Sequence, residues 1–312
     1  NASGKPVLVF PTAPSMNGYT SGIVALSVQG LKQTIPVRPV TGVFADPEVL
    51  AKAPSRMVAA GFADFVSKTS ASADWMIAHT LRHEPYMPEA FSFYEAIYEE
   101  VLSSAEMVGK GDPIAIAKVT EALLKSGLSM LVAGASSPAS GGEHLISHYL
   151  DMKSALDNTP HDLHGAQVGV ATIHTLAFWE RITQTDFETL DPEKLADSQP
   201  TEQEIEHLIR VDWHKIDPTV LKQWNTKKRS RQELVKELQR LKECHEEILK
   251  PIQMTLERPT RIAEAIRLAG GPTDPADLTI PTDLFDRAVR NARYLRNRFT
   301  VLDLKAHLCI NT

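Results

Sequence analysis

The chain has 312 residues, 43% hydrophobic and 23% charged, enough for a sizeable core and for one large or two medium domains. A formal net charge of -6 excludes the basic excess of a nucleic-acid binder. Two distant cysteines, Cys244 and Cys309, exclude a disulfide framework or a cysteine-built zinc site and fit a reducing compartment. No apolar run approaches the roughly 18 residues of a membrane span, and no signal peptide is visible.

In chain order, residues 5 to 45 read as strands. "KPVLVF" is β-rich and stops at Pro11. "GIVALSVQG" and "LKQTIPVRPV", bounded by Gly and Pro, predict a hairpin. "TGVFADPEVL" predicts one more short strand and a turn at Asp46-Pro47. From about residue 54 the period becomes helical. "SRMVAAGFADFVSKTSASADWMIAHTL" carries apolar residues at 3.6-type spacing. "PEAFSFYEAIYEEVLSSAEMV" predicts an amphipathic helix. The next helix opens with Asp112 as cap and Pro113 at its first position. "GEHLISHYLDM" and the nearly all-apolar "GAQVGVATIHTLAFWERI" follow, the second expected to be buried. Thr201 and Glu204 have capping-box spacing. Residues 230 to 250 predict a long, charged, exposed helix, with "KKRSR" (227 to 231) a solvated face before it. One or two helices in "PTDLFDRAVRNARYLRNRFTVLDL" close the chain.

Three features could carry chemistry. His144 and His148 in "SGGEHLISHYLDM" share a helical face, a spacing at which two imidazoles can hold one metal. His79 and His83 have the same spacing and read as surface polar residues. The first pair differs in context. It follows a small-residue turn, "ASSPASGG", that lets a ligand approach the backbone, and it precedes His164-Gly165 at the mouth of the most apolar helix. Asp64 in "AAGFADFVSK" sits mid-helix among small and apolar residues, where an unpaired carboxylate is costly. It needs a partner. One Asp with two or three His suits zinc, iron or nickel, and equally a buried Asp–His hydrogen bond. The loop "PTAPSMNGYTSG" (11 to 22) could hold a ligand at a strand end or be a plain connection. No Walker loop, GxGxxG or GxSxG occurs. Trp75, Phe91, Phe93, Tyr94 and Trp179 read as core or interface. Lys68 and Glu143 read as helix-surface or supporting residues.

Together, "FPTAPSMNGYTS", "APSRMVAAGFADFVSK", "GGEHLISHYLDM", "LHGAQVGVAT" and "RNRFTVLDL" resemble the glycerol-1-phosphate dehydrogenases. These belong to the iron-type alcohol dehydrogenase and dehydroquinate synthase-like superfamily. The resemblance runs in order along almost the whole chain. It implies an α/β plus all-α fold: residues 1–53 as the C-terminal part of a Rossmann-like dinucleotide domain, and residues 54–312 as a helical metal- and substrate-binding domain. It also implies a missing upstream half of the nucleotide domain.

Carried over residue by residue, the resemblance implies Asp64, His144 and His164 as metal ligands, with His161 a competitor for the third place. It puts His148 and Asn17 in the substrate pocket, beside Asp64, and Thr12, Ser15 and Ser21 against the nicotinamide. The family usually has Asp where this chain has Asn17; Asn keeps hydrogen bonding but loses charge and basicity. The implied activity is reversible, metal-dependent reduction of glycerone phosphate by NAD or NADP, with His148 or a water on it handling the proton. Zinc is the first choice of metal, nickel and iron the others. A cytoplasmic homodimer with no nucleic-acid or membrane partner is expected. The alternatives are a glycerol or other polyol dehydrogenase of the superfamily, a divergent non-catalytic relative, and a helical module with a structural metal.

Overall fold

All extended structure among the described residues lies before residue 44, where the β-branched and Gly/Pro-bounded stretches fall. The computed structural model describes residues 4–28, 31–281 and 283–310. Four strands occur there: β1 (Leu8–Val9), β2 (Ile23–Val28), β3 (Leu31–Pro36) and β4 (Gly42–Val43). β2 and β3 form the expected antiparallel hairpin, with Ile23 opposite Pro36 and Ala25 opposite Thr34. Its turn at Gln29-Gly30 lies outside the described residues. β1 pairs in parallel with β4, Leu8 against Gly42 and Val9 against Val43. The expected "KPVLVF" strand is thus only two residues long, because its partner is equally short.

The helices then follow without another strand among the described residues. They are α1 (Pro47–Leu50), α2 (Ser55–Val66), α3 (Lys68–Arg82), α4 (Glu95–Ser103), α5 (Ala105–Gly109) and α6 (Pro113–Ala133). After them come α7 (Gly142–Asp157), α8 (His164–Thr183), α9 (Pro192–Asp197), α10 (Glu202–Asp212) and α11 (Asp217–Lys227). The last are α12 (Arg231–Thr255), α13 (Pro259–Leu268), α14 (Leu284–Asn291) and α15 (Val301–His307). Their ends follow local chemistry. Asp112 caps α6 by accepting the Ile114 and Ala115 amides at 3.0 and 2.8 Å, and Gly134, at φ +61°, ends it. The Thr201–Glu204 capping box on α10 is formed, and Ser230–Glu233 makes another on α12.

The segment at 55–82, one continuous helical pattern in the sequence, breaks at Ser67. The Asp64 carbonyl there takes bonds from the Ser67 hydroxyl and the Lys68 ammonium, both at 2.7 Å. Side chains thereby occupy a carbonyl at the junction of the two helices. The segment at 88–109 is likewise three pieces rather than one helix. A 3-10 turn over Pro88–Phe93 precedes α4, and α4 and α5 part at Ser104, whose hydroxyl bonds the Val101 carbonyl at 2.7 Å.

Two apolar clusters share α8. One joins α3, α7, α12, α14 and α15 around Trp179, Trp213 and Tyr149. The other joins α2, α4, α5, α6 and α13 around Phe62 and Phe65. Trp179 faces the first and Leu176 the second, so α8 is buried on two sides as its composition requires. Two surface expectations are corrected. α12 is not simply exposed: it buries Leu234, Leu238 and Leu241 beneath its charged face. Within "KKRSR", Lys227 is buried and bonded to Asp303 at 2.9 Å, because the Asp303 carboxylate waits beneath it. No helix among the described residues is long and apolar enough to cross a membrane.

Candidate metal centre

Asp64 lies in the last turn of α2, fully buried. α8 crosses α2 there at very close range. A Cβ on Gly165 would stand 2.5 Å from the Ala60 carbonyl carbon, so only glycine permits the crossing. That crossing brings His164, the first residue of α8, up to Asp64. His144, two residues into α7, completes the group: a carboxylate oxygen of Asp64 and one nitrogen from each histidine lie within 4.8 Å of one another. The loop at 11–21 closes one side. The Asn17 amide donates to Asp64 Oδ2 at 3.1 Å, and its side chain reaches Ser126 Oγ at 3.4 Å.

Each imidazole has its tautomer fixed from behind. His144 Nδ1 meets Glu143 Oε1 at 2.8 Å, and a carboxylate can only accept, so Nδ1 carries the proton. His144 Nε2 then faces Asp64 Oδ1 at 3.5 Å. For His164 the reasoning runs through three groups. The Asp162 carbonyl accepts from Gln167 Nε2 at 3.2 Å, so Gln167 Oε1 faces Ser147 and accepts its hydroxyl at 2.8 Å. Ser147 has no second proton, so His164 Nδ1 must donate to it at 3.0 Å. His164 Nε2 is therefore the lone-pair end of its imidazole, and His144 Nε2 is the atom turned toward Asp64. A carboxylate and two imidazole nitrogens, each braced by a hydrogen bond, are a donor set for a divalent cation.

Burial would raise the Asp64 carboxyl, but the Lys68 ammonium, then His144, hold it well below the ordinary carboxylate range. Lys68 is itself fully buried, 3.0 Å from Asp64 Oδ1, and not on the helix surface. Its placement follows from i,i+4 spacing across the Ser67 break, which turns the side chain inward. Burial lowers His144, but its bonds to Asp64 and Glu143 raise it above its ordinary value. Burial, then the neighbouring His144 charge, drops His164 to about 4. Glu143 is buried and supports His144, one of its two expected roles.

His148 lies one turn after His144, its ring 5.9 Å from that of His164. It stands outside the carboxylate–imidazole trio, and its buried Nδ1 has no partner among the described residues. Burial, then the charge of Arg296, pushes it well below its ordinary value. A cavity of about 250 Å³ is lined by His144, His148, His164, Asn17, Met130 and the hairpin residues Lys32 and Thr34. Thr12, Ser15 and Ser21 do not line it. Thr12 is exposed, Ser15 half-buried, and Ser21 accepts the Ile23 amide at 3.1 Å. His161 is exposed and outside the trio. His79 and His83 are exposed, and His83 is the left-handed residue ending α3. Trp75, Tyr94 and Trp179 are buried, while Phe91 and Phe93 are half-buried.

Comparison with known proteins extends this. Residues 1–54 match the family model for iron-containing alcohol dehydrogenases. The iron-containing alcohol dehydrogenase of Corynebacterium glutamicum superposes with a TM-score of 0.52 at 15% identity, covering 97% of this chain and 65% of that one. The strands followed by a helical body thus have the dehydroquinate synthase-like fold of the iron-type alcohol dehydrogenases, as expected from the sequence. The glycerol-1-phosphate dehydrogenase (NAD(P)+) of Geobacillus thermodenitrificans is 34% identical over 298 residues, covering 95% of this chain and 65% of that protein. That of Halalkalibacterium halodurans is 31% identical over 299 residues, covering 96% and 65%. The chain is similar to the glycerol-1-phosphate dehydrogenases along almost its whole length, and it spans just under two thirds of the length of these relatives.

Proposed function

We propose that this protein reversibly reduces glycerone phosphate to sn-glycerol 1-phosphate, using NAD or NADP and one divalent ion held by Asp64, His144 and His164. The observation that carries this reading is a buried carboxylate oxygen and one nitrogen from each of two imidazoles lying within 4.8 Å of one another, beside a cavity. When bound, the ion supplies Lewis acidity toward the ketone oxygen, and the nicotinamide supplies the hydride. The chain's residues do the rest. Lys68 and the Asn17 amide hold the Asp64 carboxylate in place, while Glu143 and Ser147 keep the two imidazoles in the binding tautomer.

Burial holds His148 neutral at neutral pH, and its Nδ1 has no partner among the described residues. In the oxidising direction Nδ1, or a water on it, accepts the hydroxyl proton; in the reducing direction the proton returns by the same route. Asn17 meets the substrate from the loop side, and the loop bearing Thr12, Ser15 and Ser21 faces the nicotinamide. Zinc is the first choice for a donor set of one carboxylate and two imidazoles, with nickel and iron compatible. The division into a nucleotide part (1–53) and a metal- and substrate-binding part (54–312), the homodimer and the cytoplasmic location belong to the same proposal.

The test is NAD(P)H oxidation by the full-length, metal-reconstituted protein, comparing glycerone phosphate with dihydroxyacetone, with and without chelator. Chelator-sensitive turnover that prefers the phosphate is the expected result. Preference for dihydroxyacetone would move the protein to the polyol dehydrogenases. No turnover of either would remove the proposal.

A further inference from the structure

The cavity at the trio continues into a second one, of about 380 Å³, under the β2–β3 hairpin. The two share His148, Ile23, Lys32, Thr34, Ser136 and Ser140. The second is cationic: Lys32, Arg296 and Arg298 line it, and none of its described lining residues is acidic. Lys32 is partnered by Asp151 at 2.9 Å outside the cavity, and Arg298 is spent on the Ser140 carbonyl and on Ser136 Oγ at 2.7 Å. Arg296 is different. Its Nη1 bonds Thr34 Oγ1, but its Nη2 is buried with no partner among the described residues. Burial, then the charge of Arg298, lowers the Arg296 guanidinium to about 10. A buried guanidinium with an idle donor and no counter-charge is costly for a fold to keep. A dianionic phosphate would satisfy both, since the guanidinium fork matches two phosphate oxygens.

We propose that Arg296, supported by Arg298 and Lys32, is the anchor for a phosphate monoester whose other end reaches His148 and the Asp64–His144–His164 trio. This rests on the ketone reduction proposed above and names the group that selects its substrate. Two sources could bring such a phosphate, the ketone substrate or the dinucleotide. The cavity opens onto the trio through His148, so a small molecule can place its carbonyl at one end and its phosphate at the other. A dinucleotide's phosphates lie remote from its reacting ring.

The experiment uses the metal-loaded full-length protein and the variants Arg296→Met and Arg296→Lys, whose metal content and circular dichroism are checked against wild type. Three quantities are read: the ratio of kcat/KM for glycerone phosphate over dihydroxyacetone, the affinity for inorganic phosphate, and the affinity for NADH and NADPH. The ratio is expected to fall on the order of 100-fold in Arg296→Met, mainly through KM, and to recover in part in Arg296→Lys, which keeps charge but loses the fork. Inorganic phosphate binding should fall with it, and dinucleotide affinity should hold. An unchanged ratio overturns the proposal. So does a loss of dinucleotide affinity with phosphate selectivity intact, which would give the site to the cofactor. If wild type turns over neither ketone, the reduction itself fails, and phosphate titration still decides the anchor. Saturable binding lost in Arg296→Met upholds it, and equal binding in both overturns it.

Discussion

Gly165→Ala tests how the fold sets the ligand geometry. The added Cβ would stand 2.5 Å from the Ala60 carbonyl carbon and nearer still to its oxygen, where real Cβ contacts stop at about 3.0 Å. Both obstacles are backbone atoms, so no side chain can swing aside. The oxygen is the limiting contact, so α8 must move off α2 by about 1 Å, more than the shortfall at the carbonyl carbon alone. Alanine gains about 1 kcal/mol of helix propensity over glycine. Overpacking costs about 1–3 kcal/mol, so the net loss of stability is roughly 0–2 kcal/mol. That is a shift of a few degrees in Tm for a chain of this size. The metal centre is less forgiving. Asp64 rides on α2 and His164 on α8, and ligand distances tolerate only about 0.2 Å. Zinc affinity should therefore fall on the order of 100-fold, out of proportion to the melting shift. Calorimetric titration of chelator-stripped protein with zinc, beside a thermal melt, reads both. Wild-type zinc affinity in the alanine variant would refute the claim that this crossing sets the site.

Other consequences follow from the same geometry. Glu143→Gln keeps the shape but weakens the acceptor behind His144 Nδ1, and zinc affinity should drop about 10-fold in the same titration; no change would mean that the tautomer is held elsewhere. Lys68→Met leaves the buried Asp64 carboxylate without its ammonium, so the metal-free protein should lose about 3 kcal/mol and melt at least roughly 6 °C lower, with zinc restoring much of the loss. An unaltered apo melt would show that Lys68 does not balance Asp64. Asp303 is a carboxyl that burial would raise but Lys227, then Arg293, hold at about 2 against an ordinary 3.8. The folded state binds this proton more weakly than the unfolded chain, so its contribution of about 2 kcal/mol is complete above pH 3.8 and lost as pH falls through 2. In denaturant melts the gap between wild type and Asp303→Asn should narrow over that interval, and a constant gap would exclude the linkage.

How much of this was legible in the sequence depended on how local each cause is. Asp64 betrayed itself because a carboxylate among "GFA" and "FV" needs a buried partner. His144 and His164 were marked by the small-residue turn before one and the glycine after the other. Lys68 could be read only as a surface or a supporting residue, because an i,i+4 Asp–Lys pair looks the same on paper whether it faces water or the core; the break at Ser67 turns it inward to support Asp64. Lys227 was misread for a similar reason, since its partner Asp303 is 76 residues away. Arg296 gave no signal in "LRNRFT". Its meaning comes from Thr34, 262 residues earlier, and from the hairpin that roofs the cavity. Local pattern therefore singled out Asp64, His144 and His164, which the fold gathers into one cluster, while the balance of charge around them is set by tertiary packing.

The central claim is that Asp64, His144 and His164 hold one divalent ion. It is tested most directly by calorimetric zinc titration of the chelator-stripped chain and of Asp64→Asn, His144→Gln and His164→Gln, with circular dichroism confirming that each is folded. The account predicts one tight equivalent per chain in wild type, lost in all three variants and kept in a His161→Gln control. Tight binding that survives in the three variants, or no binding in wild type, would contradict it.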